Sequence, residues 1–246
     1  MSVSTEHRLA ALRAKMAETG ADLVALGAGS HMQWLVGFHP MPDERRCLML
    51  VGPEHEAIVM PALNAAEMRA HTDIGFVEWR DDDGPDGALA EALAKVAPNG
   101  AAQVVIDESM RADFALNLLG RLQGAKPVFT GDSVGALRLI KGADEYDILK
   151  MNAVIDDGAM LKAFASARPG MTESELAAII NDHFLSEGAA PAFAIVASGP
   201  NGAFPHHHTG ARRLETGDVV VIDIGGRKDG YPSDITRMIV LGDKPE

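Results

Sequence analysis

Two aspartates, Asp223 and Asp234, interrupt apolar stretches near the end of the sequence. Asp223 follows the β-type run Val219–Ile222, and Asp234 precedes a second strand-like run that begins at Ile235. A carboxylate in a strand that otherwise reads as buried costs free energy unless something pairs with it. Two such carboxylates facing one another also repel, so a metal ion held by both is the simplest interpretation.

The residues between the two aspartates predict a β-hairpin, because Asp-Gly suits a turn whose central residues need positive φ. With Lys228-Asp229 at the centre of the turn, Asp223 would lie opposite Asp234. With Asp229-Gly230 at the centre, Asp223 would lie opposite Thr236. Side chains alternate between faces, so both registers place the two aspartates on one face. A bulge would break this relation, leaving Asp223 as an edge or turn residue and Asp234 as a cap.

Several short motifs surround the hairpin in a fixed order. They are Ser198-Gly199-Pro200-Asn201, Pro205-His206, Gly217-Asp218, Asp223-Ile224-Gly225 and Gly230-Tyr231-Pro232-Ser233-Asp234-Ile235-Thr236-Arg237. This series resembles the pita-bread metallopeptidases, which include Xaa-Pro aminopeptidases, prolidases, methionine aminopeptidases and creatinase. The spacing of seventeen residues from His206 to Asp223, and of eleven from Asp223 to Asp234, is also similar to that family.

The resemblance implies a dinuclear metal centre and a role for each matching residue. Asp223 would bind one ion, and Asp234 would bridge both. His206 would hydrogen-bond the substrate or the tetrahedral intermediate, and Thr236 would orient a ligating carboxylate. Carboxylate and imidazole ligands suit two divalent ions, with manganese expected and cobalt, iron or zinc as substitutes.

The histidines that follow His206 need a separate interpretation. Neighbouring side chains on an extended chain point in opposite directions, so His206–His208 cannot all bind one metal ion. His207 and His208 are expected to be polar loop residues, and either one could line the substrate cleft.

The rest of the sequence predicts alternating strands and helices, which is typical of an α/β layer. Apolar periodicity predicts a helix over residues 86–96 and a strand over residues 103–106. The upstream half also resembles the creatinase/prolidase-type N-terminal domain. The expected fold is therefore an α/β creatinase/prolidase-like domain at residues 1–133, followed by the first half of an α+β pita-bread catalytic domain at residues 134–246.

The function implied by the resemblance is dinuclear-metal-dependent hydrolysis of the N-terminal Xaa-Pro amide bond of short peptides. The large N-terminal domain favours the Xaa-Pro aminopeptidase/prolidase branch over methionine aminopeptidase. A metal-free, creatinase-like C–N hydrolase is disfavoured because Asp223 and Asp234 are both kept. A metal-dependent lyase acting on a small molecule and a non-catalytic relative remain alternatives.

The metal site is expected to be incomplete within this sequence. The family's centre needs a His and two Glu from the second half of the pita-bread domain, and the sequence ends at Glu246. The chain alone is therefore expected to be inactive, as a fragment of a longer enzyme or a truncated product. It should retain less than one tightly bound metal ion.

Composition excludes several other classes of function. The net charge of -13 disfavours nucleic acid and anionic membranes as partners. No signal peptide or membrane-length apolar run is expected, so the protein is predicted to be cytoplasmic. Cys47 is the single cysteine and lies in an apolar strand, where a core position is expected. The remaining partner predictions are a short peptide substrate and a homodimer.

Overall fold

The computed structural model describes residues 3–242, and the chain divides into two compact units, Met1–Ile140 and Lys141–Glu246. The sequence placed the domain boundary between residues 133 and 134. The difference comes from one short helix, α6 (Val134–Leu139), because Val134 is fully buried in the core of the first unit. Within residues 3–242, no helix is both long enough and apolar enough to cross a membrane.

The first unit alternates helices and strands, as the sequence predicted. Its elements before α6 are α1 (Val3–Thr19), β1 (Leu23–Gly27), α2 (Ser30–Val36), β2 (Leu48–Val51), β3 (Glu56–Pro61), α3 (Ala62–Arg69), β4 (Phe76–Trp79), α4 (Asp86–Val96), β5 (Gln103–Ile106), α5 (Ala112–Gly120) and β6 (Lys126–Phe129). The bounds of α4 and β5 confirm the helix and strand predicted at residues 86–96 and 103–106.

These strands form one six-stranded mixed sheet in the order β4-β3-β2-β1-β5-β6. Alternate residues of a strand point to opposite faces, and β1 contributes Val24 and Leu26 to one core and Leu23 and Ala25 to the other. Helices α1, α2 and α3 cover the first face, whereas α4 and α5 cover the second. The first unit is therefore a three-layer α/β sandwich.

Cys47 lies just before β2 and is 5% exposed. Burial, together with the charge of Asp43, raises the pKa of the Cys47 thiol to about 12. The thiol therefore stays protonated at neutral pH. The burial of the side chain confirms the expected core position for this residue.

The second unit packs two helices against a small antiparallel sheet. Its elements are α7 (Ala143–Ser166), α8 (Glu173–Ser186), β7 (Ala190–Ser198), β8 (Val219–Lys228), β9 (Tyr231–Pro232) and β10 (Ile235–Val240). The sheet has the order β10-β8-β7, with β9 paired to β8. Val220, Ile222 and Ile224 of β8 are fully buried against α7 and α8, and the alternate residues of β8 face away from these helices.

Two adjacent glycines of β8 allow close packing, one on each face of the strand. A Cβ on Gly226 would lie 2.6 Å from ring atoms of Phe184, a fully buried residue of α8. A Cβ on Gly225 would lie 2.4 Å from the Ser233 carbonyl oxygen. Both distances are too short for any side chain, so the path of β8 depends on glycine at these two positions.

Gly226→Ala should destabilise the second unit. The added methyl group must displace Phe184 within a packed core, which costs about 1–3 kcal/mol of unfolding free energy. Urea unfolding followed by circular dichroism measures this value. Gly202→Ala is the control, because its Cβ would meet Val221 Cγ2 at an ordinary 3.5 Å. Equal midpoints for the two variants would contradict the packing argument.

Candidate functional site

The register of the hairpin decides between the two pairings predicted from sequence. Lys228 pairs with Tyr231, so Asp229 and Gly230 are the central residues, with φ of 50° and 82°. Asp223 lies directly opposite Thr236 in the same unshifted register. Asp234 precedes Ile235, which pairs with Ile224, so Asp234 falls on the face that carries Asp223. The second predicted register is the one observed.

The two aspartates occupy a polar position on the open face of the sheet. Asp223 is half-buried and accepts a hydrogen bond of 2.6 Å from Thr236 Oγ1, whereas Asp234 is exposed. Among residues 3–242, neither aspartate forms an ion pair with Lys or Arg within 4.0 Å. Two carboxylates without a basic partner on one face fit a hard divalent cation.

Helix α7 holds the other side of the hairpin through hydrogen bonds. Tyr231 Oη donates to Glu145 Oε1 at 2.7 Å, and Asn152 Nδ2 donates to the Tyr231 carbonyl oxygen at 2.8 Å. Ser233 Oγ donates to Asp156 Oδ1 at 2.7 Å. Tyr231 and Ser233 bind the helix, so the intervening alternation turns Asp234 to the opposite face. These hydrogen bonds explain the order Tyr231-Pro232-Ser233-Asp234, in which Tyr231 and Ser233 bind the helix and Asp234 faces away from it.

Asp156 is a buried carboxyl group behind the hairpin, 2% exposed. Burial raises its pKa to about 6, although the Ser233 hydrogen bond opposes that change. The charges of Asp157 and Asp234 raise the pKa further. Asp156 was not predicted as a site residue, because nothing in its helical segment distinguishes it from the adjacent Asp157.

The predicted catalytic histidine lies in the loop between the 3₁₀ turn Gly199–Ala203 and β8. His206 and His208 are exposed, whereas His207 is half-buried. His207 Nε2 donates to Glu173 Oε2 at 2.9 Å, since a carboxylate only accepts. His207 therefore has a different environment from His206 and His208, as the alternation of the chain predicted.

Glu173 is a buried residue of the candidate site that was not predicted from the sequence. It is the first residue of α8 and is fully buried, yet it accepts hydrogen bonds from both ends of the histidine loop. Burial alone would raise its pKa, but hydrogen bonds from Ser198, Asn201 and His207 outweigh burial and lower the pKa to about 2. The neighbouring Glu175 forms the helix-capping box with Thr172. The sequence of this segment is typical of a helix cap, and it gives no separate indication that Glu173 binds the histidine loop.

Within residues 3–242, the one group of three potential metal ligands close together lies in the first unit. It consists of His31, Asp107 and Glu108. Arg138 Nη1 donates to His31 Nδ1 at 2.9 Å, so His31 Nε2 carries the proton and cannot bind a cation. His206, Asp223 and Asp234 do not form such a group. Glu246, the last residue of the sequence, lies outside the described residues.

Family models match both units of the chain. The Creatinase/Prolidase N-terminal domain matches residues 8–140, and Metallopeptidase family M24 matches residues 147–246. The chain belongs to the creatinase/prolidase family of M24 metallopeptidases. The expected fold class, an α/β N-terminal domain followed by part of a pita-bread domain, is confirmed.

Individual members of the M24 family are similar over nearly the whole chain. The probable dipeptidase PepE of Mycobacterium tuberculosis is 35% identical over 244 residues, covering 96% of this chain and 64% of that protein. The crystal structure of dipeptidase PepE from Mycobacterium ulcerans has a TM-score of 0.87 at 34% identity, covering 98% of this chain and 66% of that one. The recombinant prolidase from Thermococcus sibiricus has a TM-score of 0.90 at 29% identity, covering 100% and 68%.

The chain therefore spans about two thirds of the length of these M24 relatives, and 64% of the mycobacterial dipeptidase. The family membership supports a divalent metal requirement. The number of ions and the roles of Asp223, Asp234, His206 and Thr236 stay predictions.

Asp156→Asn should change how stability depends on pH. The unfolded Asp156 ionises near its ordinary pKa of 3.8, whereas the native group ionises near 6. Between these values the native state binds more protons, so wild-type stability falls as pH rises through this window. The variant should gain on the order of 2 kcal/mol relative to wild type between pH 3.5 and pH 7 in metal-free protein.

Urea unfolding at both pH values measures the difference. Asp182→Asn, which removes an exposed carboxylate from α8, is the matched control and should show the wild-type pH dependence. An Asp156→Asn variant whose pH dependence equals that of wild type would show that Asp156 is not a strained, buried acid.

Proposed function

We propose that the full-length protein is a metal-dependent peptidase that hydrolyses the Xaa-Pro bond at the N-terminus of short peptides. The observation that carries this proposal is the placement of Asp223 and Asp234 on one face of a hairpin whose register has no bulge. The M24 family membership supports the reaction class. The printed names of the relatives, dipeptidase and prolidase, support a short peptide substrate.

The chain's own residues have distinct parts in this proposal. Asp223 and Asp234 would hold the divalent ions, and Asp234 would be the ligand shared between them. Thr236 fixes the Asp223 carboxylate through the 2.6 Å hydrogen bond, which leaves the second oxygen of that carboxylate to bind a cation. When bound, the ions lower the pKa of a water molecule and polarise the scissile carbonyl.

His206 is proposed to donate a hydrogen bond to the substrate or to the tetrahedral intermediate. Its exposure supports this role, because an imidazole directed into the core could not reach a substrate. His207 is bound to Glu173, whereas His208 is exposed and available to the cleft. Manganese is the proposed metal, and cobalt, iron or zinc are substitutes. The homodimer and the cytoplasmic location stay predictions from the sequence.

Asp234→Ala should reduce activity more than His206→Ala in the full-length protein. Loss of a shared carboxylate removes metal binding and water activation together. Loss of His206 removes one hydrogen-bond donor, with an expected decrease in kcat of about 100–1,000-fold. Metal content by mass spectrometry and the kcat of each variant measure the two effects. Wild-type metal content and kcat in Asp234→Ala would refute the assignment of Asp234.

Turnover should require a divalent metal and a proline in the second position of the substrate. Metal-reconstituted full-length protein is assayed on Xaa-Pro and matched Xaa-Ala dipeptides, with and without chelator. We expect chelator-sensitive cleavage that is faster for the proline peptide. Chelator-insensitive turnover would contradict the metallohydrolase proposal, and equal rates on both peptides would contradict the specificity. Metal-dependent turnover of a small non-peptide substrate alone would favour the lyase alternative.

A further inference from the structure

We propose that Glu173 is the positioning residue for the histidine loop, which comprises residues 199–209. This inference rests on the proposed function, because it concerns the loop that carries His206. Glu173 is fully buried, and its hydrogen bonds within residues 3–242 go to neither His206 nor the two aspartates. It therefore acts on the reaction through the backbone of the loop.

One oxygen of Glu173 binds the beginning of the loop. Glu173 Oε1 accepts from the Ser198 backbone N–H at 2.8 Å and from Ser198 Oγ at 2.7 Å. It also accepts from Asn201 Nδ2 at 2.9 Å. These three donors fix the end of β7 and the 3₁₀ turn that follows it.

The other oxygen binds the end of the loop. Glu173 Oε2 accepts from His207 Nε2 at 2.9 Å and from the Gly210 backbone N–H at 3.2 Å. The two ends of the loop are thus joined by a single carboxylate, and His206 lies between them. Fixing His207 directly fixes the backbone that carries His206, because the two residues are adjacent.

The charge of Glu173 is essential to this arrangement. Five donors face its two oxygens, and an ionised carboxylate offers about four lone-pair sites and no donor. The N-terminus of α8 adds a favourable field for a negative charge. The nearest guanidinium of the cluster, Arg212, instead forms a paired contact with Asp218 and donates to Ser198 Oγ.

A neutral amide cannot replace this carboxylate. In Glu173→Gln the amide group must direct its own N–H donors at one of the two donor sets. If the amide nitrogen replaces Oε2, the Gly210 N–H loses its acceptor, and His207 can pair with the amide only after its proton moves to Nδ1, so that end of the loop is weakened. The substitution keeps the size and shape of the side chain and removes only the ability to accept at both ends.

A double-mutant cycle in the full-length, manganese-reconstituted protein tests the inference. Glu173→Gln alone should lower kcat about 10–100-fold with KM changed less than about threefold, the signature of a lost transition-state interaction. Added to His206→Ala, it should lower kcat by less than about threefold, because both changes remove the same contribution. Glu175→Gln, at an exposed position of the same helical turn, is the control and should keep the wild-type kcat.

Hydrogen exchange gives a second readout that does not depend on activity. Amides of residues 199–210 should exchange about tenfold faster in Glu173→Gln, while those of residues 176–186 in α8 keep their wild-type rates. If Glu173→Gln does not fold, Asn201→Ala removes one donor at the exposed side of the cluster and should give the same changes at smaller size.

Each outcome decides the inference. Independent losses that multiply in the double variant, or unchanged exchange in residues 199–210, would overturn the positioning role. Equally faster exchange throughout α8 and the loop would also overturn it, since that pattern indicates general destabilisation. If the wild type cleaves neither peptide, the proposed function fails by itself, and the exchange measurement still supports or overturns the anchoring of the loop.

Discussion

The pairing of Asp223 with Thr236 determines where every other side chain of the hairpin points, because neighbouring residues on a strand face opposite sides. A shift of one residue would direct Ile222 and Ile224 away from α7 and α8 and turn Asp223 into the core. Gly225 and Gly226 enforce the observed register from the two faces of β8, since no larger residue fits against Ser233 on the open face or against Phe184 in the core. The geometry of the proposed metal face thus depends on close packing on both sides of the strand.

Two buried carboxylates support this face in opposite ways. Glu173 meets five hydrogen-bond donors, and its pKa falls to about 2, so it serves as a permanent negative charge. Asp156 receives one hydrogen bond from Ser233, and its pKa rises to about 6. The number of donors explains the contrast, because burial raises the pKa of both groups and only sufficient hydrogen bonding reverses that effect. The acid that holds the histidine loop therefore stays ionised in mildly acidic solution, whereas the acid that holds the hairpin takes up a proton as the pH falls through about 6.

The sequence predicted the hairpin, the shared face of Asp223 and Asp234, and the helices and strands with strong apolar periodicity. It did not predict the short helix α2 or the role of Glu173. The partners of Glu173 are Ser198, Asn201, His207 and Gly210, which come together only when α8 packs beside β7. Such a cluster has no local periodicity, and its central residue lies in a segment that already has a complete explanation as a helix cap. The boundary near Val134 was also misplaced, because the burial of α6 depends on contacts with α1 and α2 rather than on its own sequence.

The single cysteine, Cys47, allows local unfolding of the first unit to be measured by chemical modification. Cys47 is nearly inaccessible, and its thiol is protonated at neutral pH, so an alkylating reagent can modify it only after the strands around it separate. The rate of modification therefore measures the frequency of that separation without any introduced label. The second unit contains no thiol. Alkylation of the protein therefore reports opening of the first unit alone, without a contribution from the hairpin or the histidine loop.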